Sequence, residues 1–125
     1  MSILVLDASA LIGFDRGDRA VVAIIARARQ AGIRFIIPAG VLGQVWRDAS
    51  RQFRLARFLS AGDVDIEPLD DPRARAAGQL CGVSRTRDVI DASVVLSARR
   101  HACAIATSDV DDMRRLDARV RIVHV

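Results

Sequence analysis

Short apolar runs alternate along the chain with longer segments in which apolar residues recur every three or four positions. The short runs predict five buried strands, at residues 3–6, 33–37, 64–67, 103–107 and 120–125. The longer segments predict helices at residues 19–31, 39–61 with a break near Ser50, 72–80, 88–101 and 110–116. Strands and helices that alternate in this way are typical of an α/β domain. We therefore predict a single α/β domain over residues 1–125, with a mainly parallel sheet of about five strands flanked by helices.

The composition narrows the class of protein without changing this fold prediction. The chain has 125 residues, of which 51% are hydrophobic, enough for one compact core. No run approaches the ~18 consecutive apolar residues of a membrane span, and the N-terminus lacks the basic and apolar regions of a signal peptide. We therefore expect a cytoplasmic protein with no membrane contact. Cys81 and Cys103 have no CxxC spacing and are expected to be reduced core thiols.

The charge pattern adds a weak indication of a phosphate-bearing partner. The formal net charge is +4, and all 19 Lys and Arg side chains are arginines, because the sequence contains no lysine. The joint absence of lysine, asparagine and tyrosine is also what a GC-rich coding sequence produces. Arginine enrichment alone therefore does not establish nucleic-acid binding.

Acidic residues stand where two of the predicted strands end. Asp7 follows the first strand directly, and Asp109 follows the fourth strand after Thr107 and Ser108. In an open parallel sheet, ligands bind outside the carboxyl ends of the strands. We therefore expect these two acids to lie in one site.

A further acidic pair lies at the start of the predicted helix 88–101. Asp88 and Asp91 are three residues apart, which places both carboxylates on one face of the first helical turn. Asp88 is equally well explained as an N-cap that satisfies the first backbone amides. Asp91 has the apolar neighbours Ile90, Val94 and Val95, and a carboxylate so close to the core needs a partner.

Carboxylates that gather in one place favour a divalent cation. Two of them about 4 Å apart repel by about 4 kcal/mol at an effective dielectric constant of 20, and a metal ion removes that repulsion. Asp7, Asp91 and Asp109 offer only oxygen ligands, which favours Mg²⁺ or Mn²⁺ over zinc. Such an ion lowers the pKa of a bound water and stabilises charge that develops on a phosphodiester. His101 and His124 fit no nucleophile or zinc pattern, and the sequence has no glycine-rich phosphate loop.

Four ordered blocks of the chain resemble a PIN domain, and more narrowly a VapC toxin of bacterial toxin–antitoxin pairs. The blocks are LDASAL at 6–11, IPAGVLGQV at 37–45, DVIDA at 88–92 and TSD at 107–109, the last followed by Asp112. The resemblance covers essentially the whole chain. It implies a Mg²⁺-dependent endoribonuclease that acts on structured RNA, often tRNA or ribosomal RNA. It also implies a homodimer and a small antitoxin that blocks the acidic pocket.

The resemblance assigns roles to particular residues and exposes one departure from the family pattern. The metal-binding acids are Asp7, Asp91 and Asp109, with Asp112 as a helper and with Thr107 or Ser108 lending a hydroxyl. Gln44 stands where the family usually has glutamate, and a neutral amide is a weaker ligand for a hard cation. Three outcomes stay open: Gln44 orients a metal-bound water, Asp48 or Asp88 replaces the missing charge, or the site binds metal poorly and cleaves slowly.

The helix that contains Gln44 is predicted to continue past the site with a row of arginines. Arg47, Arg51, Arg54 and Arg57 follow at steps of four, three and three, opposite an apolar stripe that includes Phe53 and Phe58. We expect Arg47, Arg51 and Arg54 to contact RNA or an acidic antitoxin. A solvated helix face has the same pattern, so the row by itself is also compatible with no binding role.

Three functions therefore remain open on the sequence. The preferred one is a metal-dependent ribonuclease toxin in which the catalytic residues are Asp7, Gln44, Asp91 and Asp109. The alternative is a catalytically weakened PIN module that binds RNA or antitoxin without efficient cleavage. The third is an enzyme that acts on small phosphorylated molecules.

Overall fold

The computed structural model describes residues 2–125, which contain one five-stranded sheet. Its strands are β1 (Ile3–Leu6), β2 (Arg34–Pro38), β3 (Val64–Glu67), β4 (Ala104–Thr107) and β5 (Ile122–His124). All neighbouring strands are parallel, in the order β3-β2-β1-β4-β5. The predicted strands are thus confirmed to within one or two residues at their ends, and the sheet is entirely parallel.

Seven helices lie between the strands in the described part of the chain. They are α1 (Ala8–Asp15), α2 (Arg19–Gln30), α3 (Ala39–Val45), α4 (Phe53–Leu59), α5 (Asp71–Ser84), α6 (Val89–His101) and α7 (Val110–Leu116). Parallel neighbours cannot be joined by tight turns, and these helices supply the crossover connections. No helix within residues 2–125 is both long enough and apolar enough to cross a membrane.

Three helical regions differ from the sequence prediction, and the simplest case is α5, which continues to Ser84, four residues beyond its predicted end. Helix α1 was not predicted, because every one of its residues is at least partly buried and no polar face marks a helical period. The region predicted as a helix over 39–61 with a break near Ser50 consists of the short helices α3 and α4, separated by the irregular residues 46–52. The break is confirmed, but it is wider than predicted.

The side chain of Gln52 shapes the connection between α3 and α4. Its buried amide oxygen accepts hydrogen bonds from the backbone N–H groups of Arg47 (2.7 Å) and Asp48 (3.0 Å). Its amide nitrogen donates to the carbonyl of Val45 (2.9 Å) and to Oδ2 of Asp15 (3.1 Å). These bonds satisfy backbone groups at the end of α3 that would otherwise continue the helix, so the chain turns away at this point.

The chain reverses its direction of growth across the sheet next to β1. β1, β2 and β3 extend to one side, and the chain then returns to place β4 on the other side of β1, followed by β5. Where growth reverses, the loops after the two adjacent strands diverge and leave a crevice at the carboxyl ends. The ends of β1 and β4 adjoin at this crevice, with Leu6 paired to Ala106.

The core lies around the three central strands, and α6 packs across β1, β2 and β4. Three phenylalanines join the helices to the sheet: the ring of Phe58 lies 4.7 Å from that of Phe14 and 5.5 Å from that of Phe35, measured between centroids. Phe53 does not belong to the apolar stripe predicted for it, because 69% of its surface is exposed. It lies on the outer side of α4, with the guanidinium of Arg57 5.6 Å from its ring centroid.

The carboxylate of Glu67, at the end of β3, joins the sheet to α5 and α6. It accepts hydrogen bonds from Ser97 Oγ (2.7 Å), from Arg100 Nε (2.9 Å) and, at 3.1 Å, from His101 Nε2, and it faces Arg73 Nε at 3.5 Å. Burial alone would raise the pKa of Glu67, but the hydrogen bonds from Ser97, Arg100 and His101 outweigh burial and lower it. The carboxylate is therefore favoured in the ionised form in the folded state.

We predict that Glu67→Gln destabilises the protein at neutral pH by about 1–3 kcal/mol, because the buried hydroxyl of Ser97 and the partly exposed Arg100 and His101 lose a charged acceptor. Since the folded-state pKa of Glu67 is lowered, its contribution is present above the ordinary pKa of 4.5 and is lost as the pH falls through the lowered value. Urea unfolding at pH 7 and pH 3 measures both effects. Asp65→Asn, on the same strand but in an exposed pair with Arg34, is the matched control and should have the smaller effect at both pH values.

Candidate active site

The carboxyl ends of β1 and β4 bring two acidic segments together. Asp7 directly follows β1 and retains only 2% of its surface exposure, and Thr107, the last residue of β4, is fully buried. Asp109 occupies the N-cap position of α7, where its side chain makes no capping hydrogen bond. The charge of Asp109 contributes to raising the pKa of Asp7, so the two carboxylates act on each other. The structure thus places Asp7 and Asp109 in one site, as expected from the sequence.

The carboxylate of Asp7 is held by three hydrogen bonds. Its Oδ1 accepts from Ser9 Oγ at 2.6 Å and from the backbone N–H of Ala10 at 3.0 Å, so Asp7 is the N-cap of α1. Its Oδ2 accepts from the hydroxyl of Thr107. A carboxylate offers about four lone pairs, so about one remains on Oδ2 for another ligand. Burial raises the pKa of Asp7, and these hydrogen bonds partly offset that rise.

Two hydroxyl groups tie the start of α1 to the segment after β4. Thr107 Oγ1 accepts a hydrogen bond from the backbone N–H of Asp109 at 2.9 Å while it donates to Asp7. Ser9 Oγ accepts from the backbone N–H of Ser108 at 2.9 Å while it donates to Asp7. Each hydroxyl thus connects a backbone N–H after β4 to the Asp7 carboxylate, and together they fix the position of Asp109 relative to Asp7.

Asp91 lies on the first turn of α6 and completes the acidic group. Asp88 is the N-cap of this helix and accepts from the backbone N–H of Asp91 at 2.9 Å. Burial, together with the nearby negative charges of Asp88, Asp7 and Asp112, raises the pKa of Asp91 to about 7. We call Asp7, Asp88, Asp91, Asp109 and Asp112 the acidic edge. Burial and the negative charges of neighbouring members raise the pKa values of Asp7 and Asp91, and a cation would stabilise such a group of charges.

The acidic edge fits a hydrated divalent cation rather than a closed ligand cage. Among residues 2–125, no three Asp, Glu, His or Cys side chains lie close enough together to hold a metal ion as they stand. Mg²⁺, however, often binds through one or two carboxylates and retains several waters. The oxygen-only donors, the free lone pair on Asp7 and the raised pKa of Asp91 suit Mg²⁺ or Mn²⁺. One or two of Asp7, Asp91, Asp109 and Asp112 would bind the ion directly, and the others would reach it through its waters.

Gln44 lies on α3, which packs against both α1 and α6. The contact with α6 is close, because a Cβ on Gly40 would lie 3.1 Å from the side chain of Ile90, next to Asp91. Gln44 is one turn after Gly40 and so lies on the same side of α3. Its side chain is exposed and makes no hydrogen bond within the described residues. Asp48 is one of the two acids that were candidates to replace the missing glutamate charge. It does not lie on a helix as predicted, and its carboxylate instead accepts hydrogen bonds from Ser50 N (3.0 Å) and Oγ (2.7 Å).

The predicted row of four arginines on one helix is wrong. Arg47 and Arg51 lie in the irregular connection 46–52, and only Arg54 and Arg57 lie on a helix, α4. The guanidinium of Arg47 donates to the carbonyls of Gly43 (2.9 Å) and Trp46 (2.7 Å) at the end of α3. Arg51 faces Asp48 at 3.7 Å. The four arginines do not form one row because the hydrogen bonds of Gln52 to the backbone end the helix at Val45.

Two features of the site were not predicted from sequence. Ser9 links Asp7 to Ser108 by hydrogen bonds. The only sequence feature that could have identified this role is a hydroxyl residue two positions after an acid at the end of a strand. His124, predicted as an ordinary strand residue, is exposed at the end of β5 and lines a pocket with Asp109, Asp111 and Asp112. The auxiliary residues Thr107 and Ser108 were predicted, and both take part in the hydrogen bonds described above.

Known proteins share this architecture. A model of the PIN domain family matches residues 4–119 of the chain. Among solved structures, VapBC2 from Rickettsia felis bound to a promoter DNA fragment is similar, with a TM-score of 0.74, 12% identity and coverage of 98% of both chains. FitAB bound to the IR36 DNA fragment gives a TM-score of 0.66 at 16% identity, covering 97% of this chain and 94% of the other.

FitAcB from Neisseria gonorrhoeae gives a TM-score of 0.64 at 18% identity and covers 95% of both chains. At these identities the three structures show a shared fold alone. No curated protein sequence matches the chain. The functional conclusion therefore depends on the family match and on the acidic edge at the carboxyl ends of β1 and β4.

We predict that Asp91→Asn changes how the stability of the metal-free protein depends on pH. The pKa of Asp91 is raised from 3.8 to about 7 by folding, so the folded state binds more protons than the unfolded state between these values. Wild-type stability should therefore fall as the pH rises from about 4 to about 7, by at most about 1.4 kcal/mol per pH unit from this group. The amide introduced by Asp91→Asn cannot ionise, so the variant should lose this fall and be the more stable protein at pH 8.

Urea unfolding from pH 4 to pH 8 in a chelator measures this dependence. Asp71→Asn, which removes an exposed carboxylate paired with Arg75 on α5, is the control and should keep the wild-type pH dependence. Parallel curves for wild type and Asp91→Asn would show that Asp91 ionises normally.

Proposed function

The chain belongs to the PIN domain family, and on that basis we propose that it is a Mg²⁺-dependent endoribonuclease toxin that hydrolyses phosphodiester bonds of structured RNA. The observation that carries this proposal is the acidic edge, where burial and neighbouring carboxylates raise the pKa of Asp91 to about 7. A fold that gathers like charges at the carboxyl ends of its central strands is stabilised by a cation there, and hydrolysis of phosphodiesters is a reaction that such cations support.

The side chains of the acidic edge have separate roles in this proposal. Asp7 is the fixed ligand, because three hydrogen bonds set its orientation and leave about one lone pair on Oδ2. Asp91 and Asp109 would supply the negative charge that attracts the ion, and Asp112 would assist them. Gln44 orients the attacking water by its amide group. When bound, the ion would lower the pKa of that water and stabilise the charge on the phosphate.

We propose the same partners that the resemblance implies. The solved structures with this fold include VapBC2 and FitAB, both bound to DNA fragments, and FitAcB. By analogy, a cognate antitoxin binds this chain and blocks the acidic edge, and the chain forms a homodimer in the cytoplasm. Structured RNA, tRNA or ribosomal RNA, is the proposed substrate, and Arg54 is a candidate contact for its phosphates because it is exposed on α4 without a carboxylate partner among residues 2–125.

We predict that wild-type protein cleaves RNA from a structured panel in Mg²⁺ or Mn²⁺ and that Asp7→Asn lowers the cleavage rate by at least about 100-fold. Asparagine keeps the size of the side chain and its capping oxygen but removes the charge that binds the ion. Cleavage is measured on end-labelled tRNA and ribosomal RNA fragments, with a chelator as the metal-free control. Asp71→Asn removes an exposed acid on α5 and should cleave like wild type. Equal cleavage by Asp7→Asn and wild type would contradict the proposal.

A second candidate function is a binding module with little catalytic activity. It is favoured by the neutral Gln44 and by the absence, among residues 2–125, of three acids close enough to hold an ion. An amide at this place leaves the site one negative charge short of the family pattern.

We predict that Gln44→Glu raises the affinity for Mg²⁺ or Mn²⁺, because it adds a charged oxygen ligand on the side of α3 that faces α6. Calorimetric titration measures the affinity, and cleavage assays run beside it. Similar cleavage before and after the change supports the nuclease with Gln44 as the water-orienting residue. Cleavage that begins only with Gln44→Glu supports the binding module. Turnover of a nucleotide or phosphomonoester, with RNA intact, would favour the small-molecule enzyme.

A further inference from the structure

A groove of about 500 Å³ leads away from the acidic edge along α1. At its inner end it is lined by Ser9 and Ser108, which are hydrogen-bonded to each other, and Ser9 is hydrogen-bonded to Asp7. At its outer end it is lined by Arg16 and Gly17. A ligand in the groove would therefore lie next to the carboxylate that we propose as the fixed metal ligand.

One face of α1 forms the length of this groove. Ser9, Ile12 and Arg16 lie three and four residues apart, so their side chains follow one another along the same side of the helix. Seven residues of helix span about 10 Å at 1.5 Å per residue. The groove is thus longer than the roughly 3.4 Å that one nucleotide of a stacked strand occupies along its axis.

Two arginines lie at or beside the outer end: Arg16 lines the groove, and Arg54 lies next to its lining residue Gly17. Arg16 is exposed, and no carboxylate among residues 2–125 lies within ion-pair distance of it or of Arg54. Arg54, on α4, packs its guanidinium so closely against Gly17 that a Cβ there would clash with Nη1. Asp18 also lines the groove, but its Oδ1 accepts from the backbone N–H groups of Ala20 (3.0 Å) and Val21 (3.2 Å) as the N-cap of α2. The groove lining thus contains one arginine, Arg16, and one acidic side chain, Asp18, and the guanidinium of Arg54 lies next to the lining at Gly17.

The glycines of the groove are explained by packing and not by a ligand. A Cβ on Gly13 would lie 2.8 Å from Val21 Cγ2, so glycine is needed there for α1 and α2 to approach. Gly17 has a φ of +74°, which glycine adopts without strain in the turn between these helices. The features that indicate a ligand are therefore the unpaired Arg16 in the lining with Arg54 beside it, the position next to Asp7 and the length of the groove.

We infer that this groove binds the sugar–phosphate backbone of the RNA outside the cleavage position, with Arg16 on a phosphate about two to three nucleotides from the scissile bond and with Arg54 adding positive charge beside it. The inference rests on the proposed ribonuclease function and adds a substrate contact to it. Guanidinium groups bind phosphate oxygens with paired hydrogen bonds, and a strand is anionic at every step. Arg16 is a positioning residue that holds the strand so that one phosphodiester lies at the acidic edge.

The test compares Arg16→Ala and Arg16→Gln with Arg27→Ala. Arg27 is also exposed and without a carboxylate partner in the described residues, but it lies near the amino ends of the strands, beside Ile3 and Cys103. Affinity for a cleavable RNA is measured with calcium in place of magnesium across a range of salt concentrations, and cleavage is measured under steady-state conditions. Thermal melting confirms that the variants are folded.

We expect both Arg16 variants to raise KM by about tenfold with little change in kcat, because a phosphate contact remote from the reacting bond stabilises bound substrate and transition state alike. The slope of log affinity against log salt should fall by about 1, as expected for the loss of one phosphate contact. Substrates with a single uncharged methylphosphonate link, placed at each position in turn, should identify one phosphate whose neutralisation weakens wild type but not Arg16→Ala. Arg27→Ala should behave as wild type in all three measurements.

The outcomes separate this inference from the function on which it rests. If wild type cleaves RNA and the Arg16 variants match it in KM and salt slope, the groove is not a substrate site and the ribonuclease proposal stands. If the variants keep RNA affinity but bind a cognate antitoxin more weakly, the groove is a protein contact and the inference is overturned. If wild type neither binds nor cleaves RNA, the proposed function and this inference are both overturned.

Discussion

The buried carboxylate of Asp7 is the constraint on which the site depends. It caps α1 through Ala10 N, and its other oxygen accepts from Thr107 at the end of β4, so one side chain connects two segments that are 100 residues apart. A buried carboxylate is unfavourable unless it is well bonded, and here the bonds come from groups whose positions the sheet already sets. Pairing of Leu6 with Ala106 brings β1 and β4 together, and Asp7 extends that pairing into the loops.

This constraint also explains why the acidic edge can exist at all. Asp91 comes from a helix that packs across β1, β2 and β4, and Asp109 comes from the turn after β4, so packing of the core fixes both near Asp7. The carboxylates repel one another, and that repulsion contributes to the pKa of Asp91 near 7. Core burial, which is unrelated to the site, provides the free energy that holds the group together. Perturbed ionisation of this kind is common where a protein binds a charged ligand.

Local signals in the sequence predicted the strands of the sheet and the position of acidic residues at strand ends and at the start of α6. The prediction failed where a contact between residues far apart in the sequence decides the structure. Strands such as 3–6 are continuously apolar and end at a polar residue, and the apolar neighbours of Asp91 place its helical turn beside the core. Residues 46–52, by contrast, leave the helical path because Gln52 bonds their backbone and reaches Asp15, 37 residues away on α1. Helix α1 itself was missed because burial on all sides removes the periodic signal. Helix α1, which was not predicted, thus supplies Asp15 as a partner for Gln52, the residue that ends the predicted helix 39–61 early.

The proposed nuclease must bring an anionic substrate to an acidic site, although the rest of the protein carries a net positive charge. The chain has a net charge of +4, so at a distance it attracts a polyanion, while the acidic edge repels the phosphate that must reach it. A cation at Asp7 would neutralise the edge so that phosphate can approach, and it would activate the attacking water. In such a site the loss of one acidic charge, as at Gln44, weakens the hold on the cation and at the same time lessens the repulsion of the substrate. The two effects oppose each other, which is a physical reason why a neutral residue at position 44 is compatible with a working nuclease.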